Sequence, residues 1–293
     1  MSSRDGSASM AQLARDHPEW SPWLALINAA VERADDPAWG DVQVELAASG
    51  DKDAPLLTGA VVSIDGRILA QWLDDLLAVA ARNGIDVAGL LGKRGATAWD
   101  PVAFVEAAVN DCRERQDMVA AATSVRPELL QSLAIPAAMP LLRAAARLAG
   151  PPPGAWPHGY CPMCGAWPAL AEARGLEGSR QLRCGRCGGD WRFDWLRCPF
   201  CANDEHGSLG GLVSEIAGDM RKVDTCLICR GYLKTVATLT ARSATEVVLE
   251  DIASAPFDVA AIEAGFSRPA VPARPLDARV EARRRRGVFS FRR

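Results

Sequence analysis

The sequence lacks the patterns that mark most enzymes and most exported proteins. Its 293 residues contain no G-x-G-x-x-G fingerprint, no P-loop and no nucleophile elbow. The N-terminus has no basic start followed by an apolar core, so it predicts no secretory signal. The sequence has no charge-free run of about 18 apolar residues, so it predicts no membrane helix. We therefore expect a cytoplasmic protein that has no membrane span and is not an enzyme.

Histidine is also scarce. The chain has three, His17, His158 and His206. The last two lie close in sequence to cysteine pairs, where a histidine can replace a thiolate as a metal ligand. Because the cysteines alone can fill two sites, we expect neither histidine to bind metal.

Cysteine, in contrast, is concentrated in one region. Eight of the nine cysteines lie between His158 and Lys234 in four C-x-x-C pairs, which are separated by 19, 10 and 24 residues. Eight thiolates are enough for two tetrahedral S4 metal sites, with iron or zinc as the ion. The predicted metal ligands are Cys161, Cys164, Cys184, Cys187, Cys198, Cys201, Cys226 and Cys229.

Residues beside the cysteines favour tight metal-binding turns. Gly165 and Gly188 directly follow the second cysteine of a pair, where a left-handed residue is often needed. Pro162 and Pro199 follow the first cysteine of a pair and preset φ for the turn. A disulfide framework is the alternative, but it is disfavoured in a long chain with no secretory signal. Cys112 stands alone and is expected to be a buried apolar residue.

The spacing does not fix which pairs share an ion. Sequential pairing joins the first pair with the second and the third with the fourth, which makes two separate beads. Interleaved pairing joins the first with the third and the second with the fourth, which makes one cross-braced domain. We favour the sequential arrangement, because its loops of 19 and 24 residues suit a domain of two hairpins.

A basic face is missing from the cysteine-rich region. Residues 158–240 carry ten Lys and Arg against nine Asp and Glu, a formal charge of +1. Four thiolates around a divalent ion leave −2, so two sites bring this region to about −3. Proteins that read nucleic acid usually present a basic surface. Nucleic-acid binding by a zinc ribbon is therefore the least favoured interpretation.

The first half of the chain predicts helices. The clearest is Asp65–Asn83, with one apolar stripe, Asp65 as N-cap and Gly84 just past its end. Asp100-Pro101 opens another helix, which we expect to continue to about Ala122. Residues 124–149 are predicted to be helical, with kinks at two prolines, and Val42–Ala48 to form a short helix.

These patterns predict an α+β protein with an all-helical N-terminal part. The cysteine-rich part is expected to be strand-like, with Trp191, Phe193 and Trp195 on one strand face, further strands at Val213–Met220 and Tyr232–Leu239, and a turn at Leu209–Leu212. The expected division is a helical domain at 1–150, a Pro-rich linker at 151–157, metal ribbons at 158–195 and 196–242, closing helices at 243–267 and a basic, disordered tail at 268–293.

The cysteine motifs resemble those of the formate dehydrogenase accessory protein family, FdhE. The resemblance lies in Cys161-Pro162-Met163-Cys164-Gly165, in the three later pairs, in Gly231-Tyr232-Leu233-Lys234, and in the two segments Leu249–Ala253 and Glu263–Arg268; His17-Pro18 is similar to the family's start. It implies a helical N-terminal domain, rubredoxin-like modules and iron rather than zinc. It further implies a cytoplasmic, non-catalytic accessory factor that contacts the catalytic subunit of respiratory formate dehydrogenases.

Two alternatives and one open question remain at this stage. A rubredoxin-like protein that transfers one electron needs no residues beyond an S4 iron site. A zinc-ribbon module that binds nucleic acid uses the same spacing. The oligomeric state is left open, with a homodimer as one alternative. The arginine-rich tail beyond Arg268 is a departure from the family pattern and carries no role from it.

Overall fold

The computed structural model describes residues 3–48, 50–91, 99–152, 154–213 and 220–283. The first half of the chain is mostly helical, with two short 3-10 turns and two strands. Its helices are α1 (Ser3–Asp16), α2 (Ser21–Ala34), α3 (Gly66–Arg82), α4 (Ala88–Leu91), α5 (Pro101–Val109), α6 (Arg113–Thr123) and α7 (Pro127–Ala149). The 3-10 turns are Pro18–Trp20 and Pro37–Asp41, and the strands are β1 (Gln43–Glu45) and β2 (Val61–Asp65).

The second half is mostly strand, followed by two helices and a last strand. Its strands are β3 (Leu170–Arg174), β4 (Ser179–Arg183), β5 (Asp190–Arg192), β6 (Leu209–Val213), β7 (Arg221–Cys226) and β8 (Tyr232–Thr238), with a 3-10 turn at His206–Ser208. The closing helices are α8 (Ala244–Ala253) and α9 (Ala255–Glu263), and the last strand is β9 (Arg279–Arg283). The predicted fold class, α+β with zinc-ribbon-like modules, is confirmed.

Helix α3 forms as its sequence predicts. The Asp65 side chain accepts a hydrogen bond from the Arg67 backbone N–H at 2.9 Å, which satisfies one of the free donors at the helix start. Trp72 and the leucines of the apolar stripe are buried. Gly84 follows with φ +78°, a left-handed conformation that glycine adopts without strain.

Two predicted elements in the helical half are wrong. The helix that opens at Asp100-Pro101 stops at Val109, because Asp111 takes a left-handed conformation with φ +51°, which ends the helical hydrogen-bond pattern. The Asn110 side chain at this end makes two 2.8 Å hydrogen bonds with the backbone of Ala278. Cys112 therefore precedes a new helix, α6, and is half-buried. Residues 42–48 are not helical. They contain β1, in which Val44 is paired with Val62 of β2.

Helix α7 is the central helix of the core. Pro136 and Pro140 lie inside it without interrupting it. The helix is long and apolar enough to cross a membrane by length and composition, but 78% of its apolar window is buried inside the protein. A core helix that is covered by other elements on most sides is apolar around most of its circumference, because most of its side chains are buried.

Both metal ribbons belong to one sheet. The sheet has six strands in the order β5-β4-β3-β8-β7-β6. Strands β3 and β8 are parallel neighbours, with Ala171 opposite Thr235, and they join the first ribbon to the second. The ribbons are therefore not the two separate beads that sequential pairing suggested.

Within the sheet, Tyr232–Leu239 is confirmed as a strand, since β8 covers all but its last residue. The predicted turn at Leu209–Leu212 is wrong, because Gly210 and Gly211 lie in β6 opposite Thr225 and Asp224. Residues 214–219 of the predicted strand Val213–Met220 lie outside the described residues. Trp191 and Phe193 are buried, whereas Trp195 lies partly in solvent beside Arg180.

Buried ion pairs reinforce the sheet. The Glu172 carboxylate on β3 is fully buried and accepts from the guanidinium groups of Arg183, at 2.7 Å, and Arg174. Arg180 on β4 is 3% exposed and donates to Asp224 on β7 at 3.1 Å, which ties the first ribbon to the second. Such pairs satisfy the buried charges of the sheet interior.

The tail at 268–293 was predicted to be disordered, but part of it forms a strand. Strand β9 is parallel to β2, with Val280 opposite Val62, and completes a small sheet in the order β1-β2-β9. The strand is ordered because Leu276, Ala278 and Val280 bury their side chains in the core. Arg284 to Arg286 lie outside the described residues.

A single apolar core connects the helices to the first ribbon. Trp72 and Leu130 from the helices belong to the same buried cluster as Cys161, Leu182 and Trp191 from the ribbon. Segment 151–157 links the helices to the first ribbon in sequence, and the shared apolar core joins them in space.

Candidate metal centres

The structure gathers the eight paired cysteines into two groups of four. Site A comprises Cys161, Cys164, Cys184 and Cys187, and site B comprises Cys198, Cys201, Cys226 and Cys229. Within each group the sulfur atoms all lie within 4.8 Å of one another. This is the sequential arrangement that the spacing favoured. The structure includes no disulfide among these cysteines.

The sulfur separations fit a tetrahedral S4 ion. With metal–sulfur bonds of about 2.3 Å, two ligands of a regular tetrahedron lie about 3.8 Å apart. In site A the Sγ distances are 3.5 Å for Cys161–Cys187 and 3.6 Å for Cys164–Cys184. In site B the corresponding distances are 3.6 Å for the 198–229 pair and 3.8 Å for the 201–226 pair. Either group can therefore hold one ion without rearrangement, and that they do so remains a prediction.

All four C-x-x-C turns have one backbone design. In each, the N–H of the first cysteine donates to the carbonyl five residues later, at 2.8 to 3.0 Å. The residue directly after the second cysteine has positive φ in every turn, at Gly165, Gly188, Ala202 and Arg230. The glycines were expected in this role, but Ala202 and Arg230 were missed, because neither residue type signals a left-handed conformation.

Arg230 has contacts that offset its backbone strain. Its guanidinium donates to the carbonyls of Ala264 and Gly265 and lies 4.4 Å from the centre of the Phe266 ring. The turn of Cys226–Cys229 is thereby fastened to the end of α9. Gly231, the next residue, leaves room for a sulfur, since a Cβ there would lie 3.1 Å from Cys229 Sγ.

Site A is enclosed by the helical part of the chain. The backbone N–H groups of Leu56 and Leu57 donate to the carbonyls of Pro162 and Met163 in its first turn. Arg186, in its second turn, donates to the carbonyls of Ala108 and Val109 at the end of α5. This places a cation at a helix C-terminus, where it is electrostatically favoured. All four cysteines of site A are at most 4% exposed.

A buried cation also lies near site A. Arg143 on α7 is 3% exposed and interacts electrostatically with Cys184 and Cys187. Burial lowers the pKa of Arg143, and the negative charge of Asp35 and of the two cysteines works in the opposite direction. Four thiolates around a divalent ion carry a charge of about −2, so this guanidinium partly compensates a loaded site.

Site B differs in being half open. Cys198 and Cys226, the first cysteine of each pair, are buried, whereas Cys201 and Cys229 are exposed. Backbone N–H groups turn toward the buried sulfurs, from Phe200 and Cys201 to Cys198 and from Ile228 and Cys229 to Cys226. Such donors stabilise a thiolate.

The metal-free thiols do not titrate alike. Burial raises the pKa of Cys161, and hydrogen bonds from the neighbouring thiols lower the pKa of Cys184. In site B burial raises the pKa of Cys229 to about 11. Burial works against the Cys226 thiolate, but the backbone N–H donors and the hydrogen bonds from the Cys201 and Cys198 thiols together lower the pKa of Cys226. Binding of an ion must therefore release protons from both sites.

The YLK sequence after site B has a structural role. The Tyr232 hydroxyl donates to Asp258 at 2.8 Å, and the ammonium of the buried Lys234 pairs with Asp258 at 2.7 Å and with Asp251 at 2.8 Å. Arg268 pairs with both aspartates as well. These charges join β8 to α8 and α9, so the second ribbon and the closing helices are held together.

The histidines lie outside both cysteine groups. His158 contacts Asp53 through its Nε2 at 2.8 Å and stacks on Tyr160. His17 stacks on Trp20, and His206 lies in the short turn before β6. In the part of the chain that the structure describes, the His, Cys, Asp and Glu side chains that lie close enough together to hold a metal ion are those of the two cysteine groups.

The chain is similar to known proteins in part of its sequence and in its fold. No family model matches the chain. The chain is 36% identical over 114 residues to a protein named FdhE homolog from Aquifex aeolicus (strain VF5), a match that covers 38% of this chain and 40% of the relative. It is 32% identical over 110 residues to the FdhE homolog from Edwardsiella ictaluri (strain 93-146), which covers 37% of this chain and 35% of the relative. The chain thus spans less than half the length of these curated relatives.

The comparison of folds extends further along the chain. The crystal structure of the FdhE protein from Pseudomonas aeruginosa superimposes with a TM-score of 0.57 and 20% sequence identity. The match covers 92% of this chain and 93% of that one, and it shows a shared fold. The chain is thus similar in sequence to FdhE homologs over somewhat more than a third of its length, and it shares the fold of an FdhE protein.

Proposed function

We propose that this protein is a cytoplasmic, non-catalytic accessory factor that binds two metal ions and contacts the catalytic subunit of a respiratory formate dehydrogenase to make it active. One observation carries the proposal: a chain similar to FdhE homologs also forms two complete S4 groups. The sulfur separations suit ion binding, and the ion pairs at Glu172 and Lys234 serve to join structural elements.

The second ribbon offers a surface for such a contact. Leu227 and Ile228, at the tip of the last cysteine turn, are 53% and 60% exposed. Val259 and Ile262 on α9 are similarly exposed, and α9 is fastened to the same turn through Arg230. Exposed apolar side chains that occur together often mark a site of protein contact.

A pull-down with the metal-free catalytic subunit tests the proposal. We expect the wild-type protein to retain the subunit, and the double variant Leu227→Ser/Ile228→Ser to retain less of it. The matched control is Leu176→Ser, which alters a side chain that is 97% exposed in the turn between β3 and β4. Absence of a complex with the wild-type protein, both with and without oxygen, refutes the proposed partner.

Iron is the proposed ion, with zinc as the alternative. The S4 donor set accepts either metal, so the preference for iron comes from the family resemblance alone. Metal analysis and a visible absorption spectrum of protein purified without oxygen decide between them. Ferric thiolate sites are coloured, and zinc sites are colourless.

A second candidate function is one-electron transfer of the rubredoxin type. The observation in its favour is the exposure of Cys201 and Cys229, which brings two ligands of site B to the protein surface. This function requires an iron-loaded protein that cycles between ferric and ferrous forms with its fold intact. Loss of the metal or of the fold during one cycle excludes it.

A further inference from the structure

The two cysteine groups share a backbone design but differ in how far their cysteines are exposed to solvent. In site A the second cysteines of the pairs, Cys164 and Cys187, are 1% and 4% exposed. The equivalent residues of site B, Cys201 and Cys229, are exposed. The exposed residues occupy the same position, the second cysteine, in both turns of site B.

Other parts of the chain hold site A closed. Opening its first turn breaks the hydrogen bonds that Leu56 and Leu57 donate to it. Its second turn is anchored to α5 by Arg186, and the backbone there lies so close to α8 that a Cβ at Gly188 would be 2.8 Å from that of Ala244. A ligand from solvent therefore reaches site A only after the ribbon separates from the helical core.

Site B is less enclosed: Arg230 fastens its last turn to the end of α9, but Cys201 and Cys229 stay exposed. The tip of its last turn, Leu227 and Ile228, is in solvent, and the contact of Leu227 is a backbone hydrogen bond to Ser208 within the same ribbon. The first turn of site B packs against the first ribbon, where Gly159 lies against the backbone of Pro199. Access to the exposed residues Cys201 and Cys229 needs no separation of ribbon and helices.

We infer that site B is an exchangeable metal site, open to an external thiol or chelator, and that site A is a permanent structural site. In an exchange, an incoming thiolate bonds to the ion as the sulfur of Cys201 or Cys229 departs and takes up the proton that the incoming thiol released. No electron transfer is involved. The inference rests on the proposed binding of two ions and is independent of the enzyme that the protein assists.

Chelator competition on the full chain tests this division. The protein is loaded with zinc, a redox-inert probe, and its content of two ions is verified first. Release to 4-(2-pyridylazo)resorcinol is then followed by absorbance, and free cysteines are alkylated and mapped by mass spectrometry when one ion has left. We expect two phases that differ at least about tenfold in rate, because local opening is easier than opening of the core. The first alkylated residues should be those of site B.

A variant and a control complete the experiment. The double variant Cys201→Ser/Cys229→Ser should retain one ion and lose the fast phase, whereas Cys112→Ser should release both ions like the wild type. Mapping on the wild-type protein decides the question even if the double variant fails to fold. Equal release from both sites, or alkylation of site A first, overturns the inference. A verified content below two ions contradicts the proposed function instead.

Discussion

Replacing one cysteine in each site should separate the two sites by their effect on the helices. Cys164→Ser removes a proposed ligand that is 1% exposed and belongs to the same core cluster as the helices. Cys201→Ser removes the equivalent ligand of site B, which is exposed. We expect Cys164→Ser to destabilise the helical part and Cys201→Ser to act within the second ribbon.

The expected magnitude follows from the coupling of metal binding to folding. A structural zinc site contributes about 10–16 kcal/mol of apparent binding free energy, which is comparable to a whole domain's stability of about 5–15 kcal/mol. Even a loss of about 7 kcal/mol lowers the melting temperature by about 11 °C, because 293 residues at about 2.1 cal/mol/K each have an unfolding entropy of about 0.6 kcal/mol/K. Loss of site A also exposes Leu182 and Trp191 to the extent that the first ribbon opens.

Circular dichroism at 222 nm, which reports the helices, measures the difference during thermal unfolding. The helical transition of Cys164→Ser should fall by at least about 10 °C, and that of Cys201→Ser should stay within about 3 °C of the wild type. Cys112→Ser controls for the loss of a cysteine that belongs to neither site. An unchanged helical transition in Cys164→Ser would show that residues 1–150 fold independently, and it would refute the coupling argued from the shared core.

Three further predictions concern site B and its support. Ala202→Gly should stabilise the second ribbon by about 1 kcal/mol, because it removes the backbone strain of a side chain at φ +59°. Urea unfolding of the metal-loaded protein measures this change, and a loss of stability contradicts the prediction. Lys234→Met should cost about 3–5 kcal/mol in the same assay, since it leaves Asp251 and Asp258 with less compensation, and a neutral result would contradict a buried pairing role. Ion binding at pH 7 should release protons, because the pKa of Cys229 is about 11 without metal, and the apparent affinity for the ion should therefore rise with pH. Calorimetry in buffers of different ionisation enthalpy counts the released protons. A release of zero protons excludes a protonated Cys229 in the metal-free protein.

Local sequence signals determined the cysteine turns and the best helix. A tight turn is specified by adjacent residues, so C-x-x-C followed by glycine predicted the geometry at Gly165 and Gly188. Helix α3 combined an apolar stripe with a capping aspartate, and it formed with those limits. The same local logic missed Ala202 and Arg230, whose left-handed backbone is maintained by the turn and not by residue type.

Tertiary structure decided how these units are joined. The parallel pairing of β3 with β8 joins residues about 60 positions apart, and no local spacing encodes a pairing of that range. Strand β9 pairs with β2, more than 200 positions away in the sequence, and the Asn110 side chain at the end of α5 binds the backbone of Ala278 just before β9. The sequence alone thus determined which cysteines pair within a turn, because each turn is local, and it favoured but did not fix which two pairs form a group of four. Only the packing of distant segments decided that site A is sealed against the helices while site B stays open to solvent.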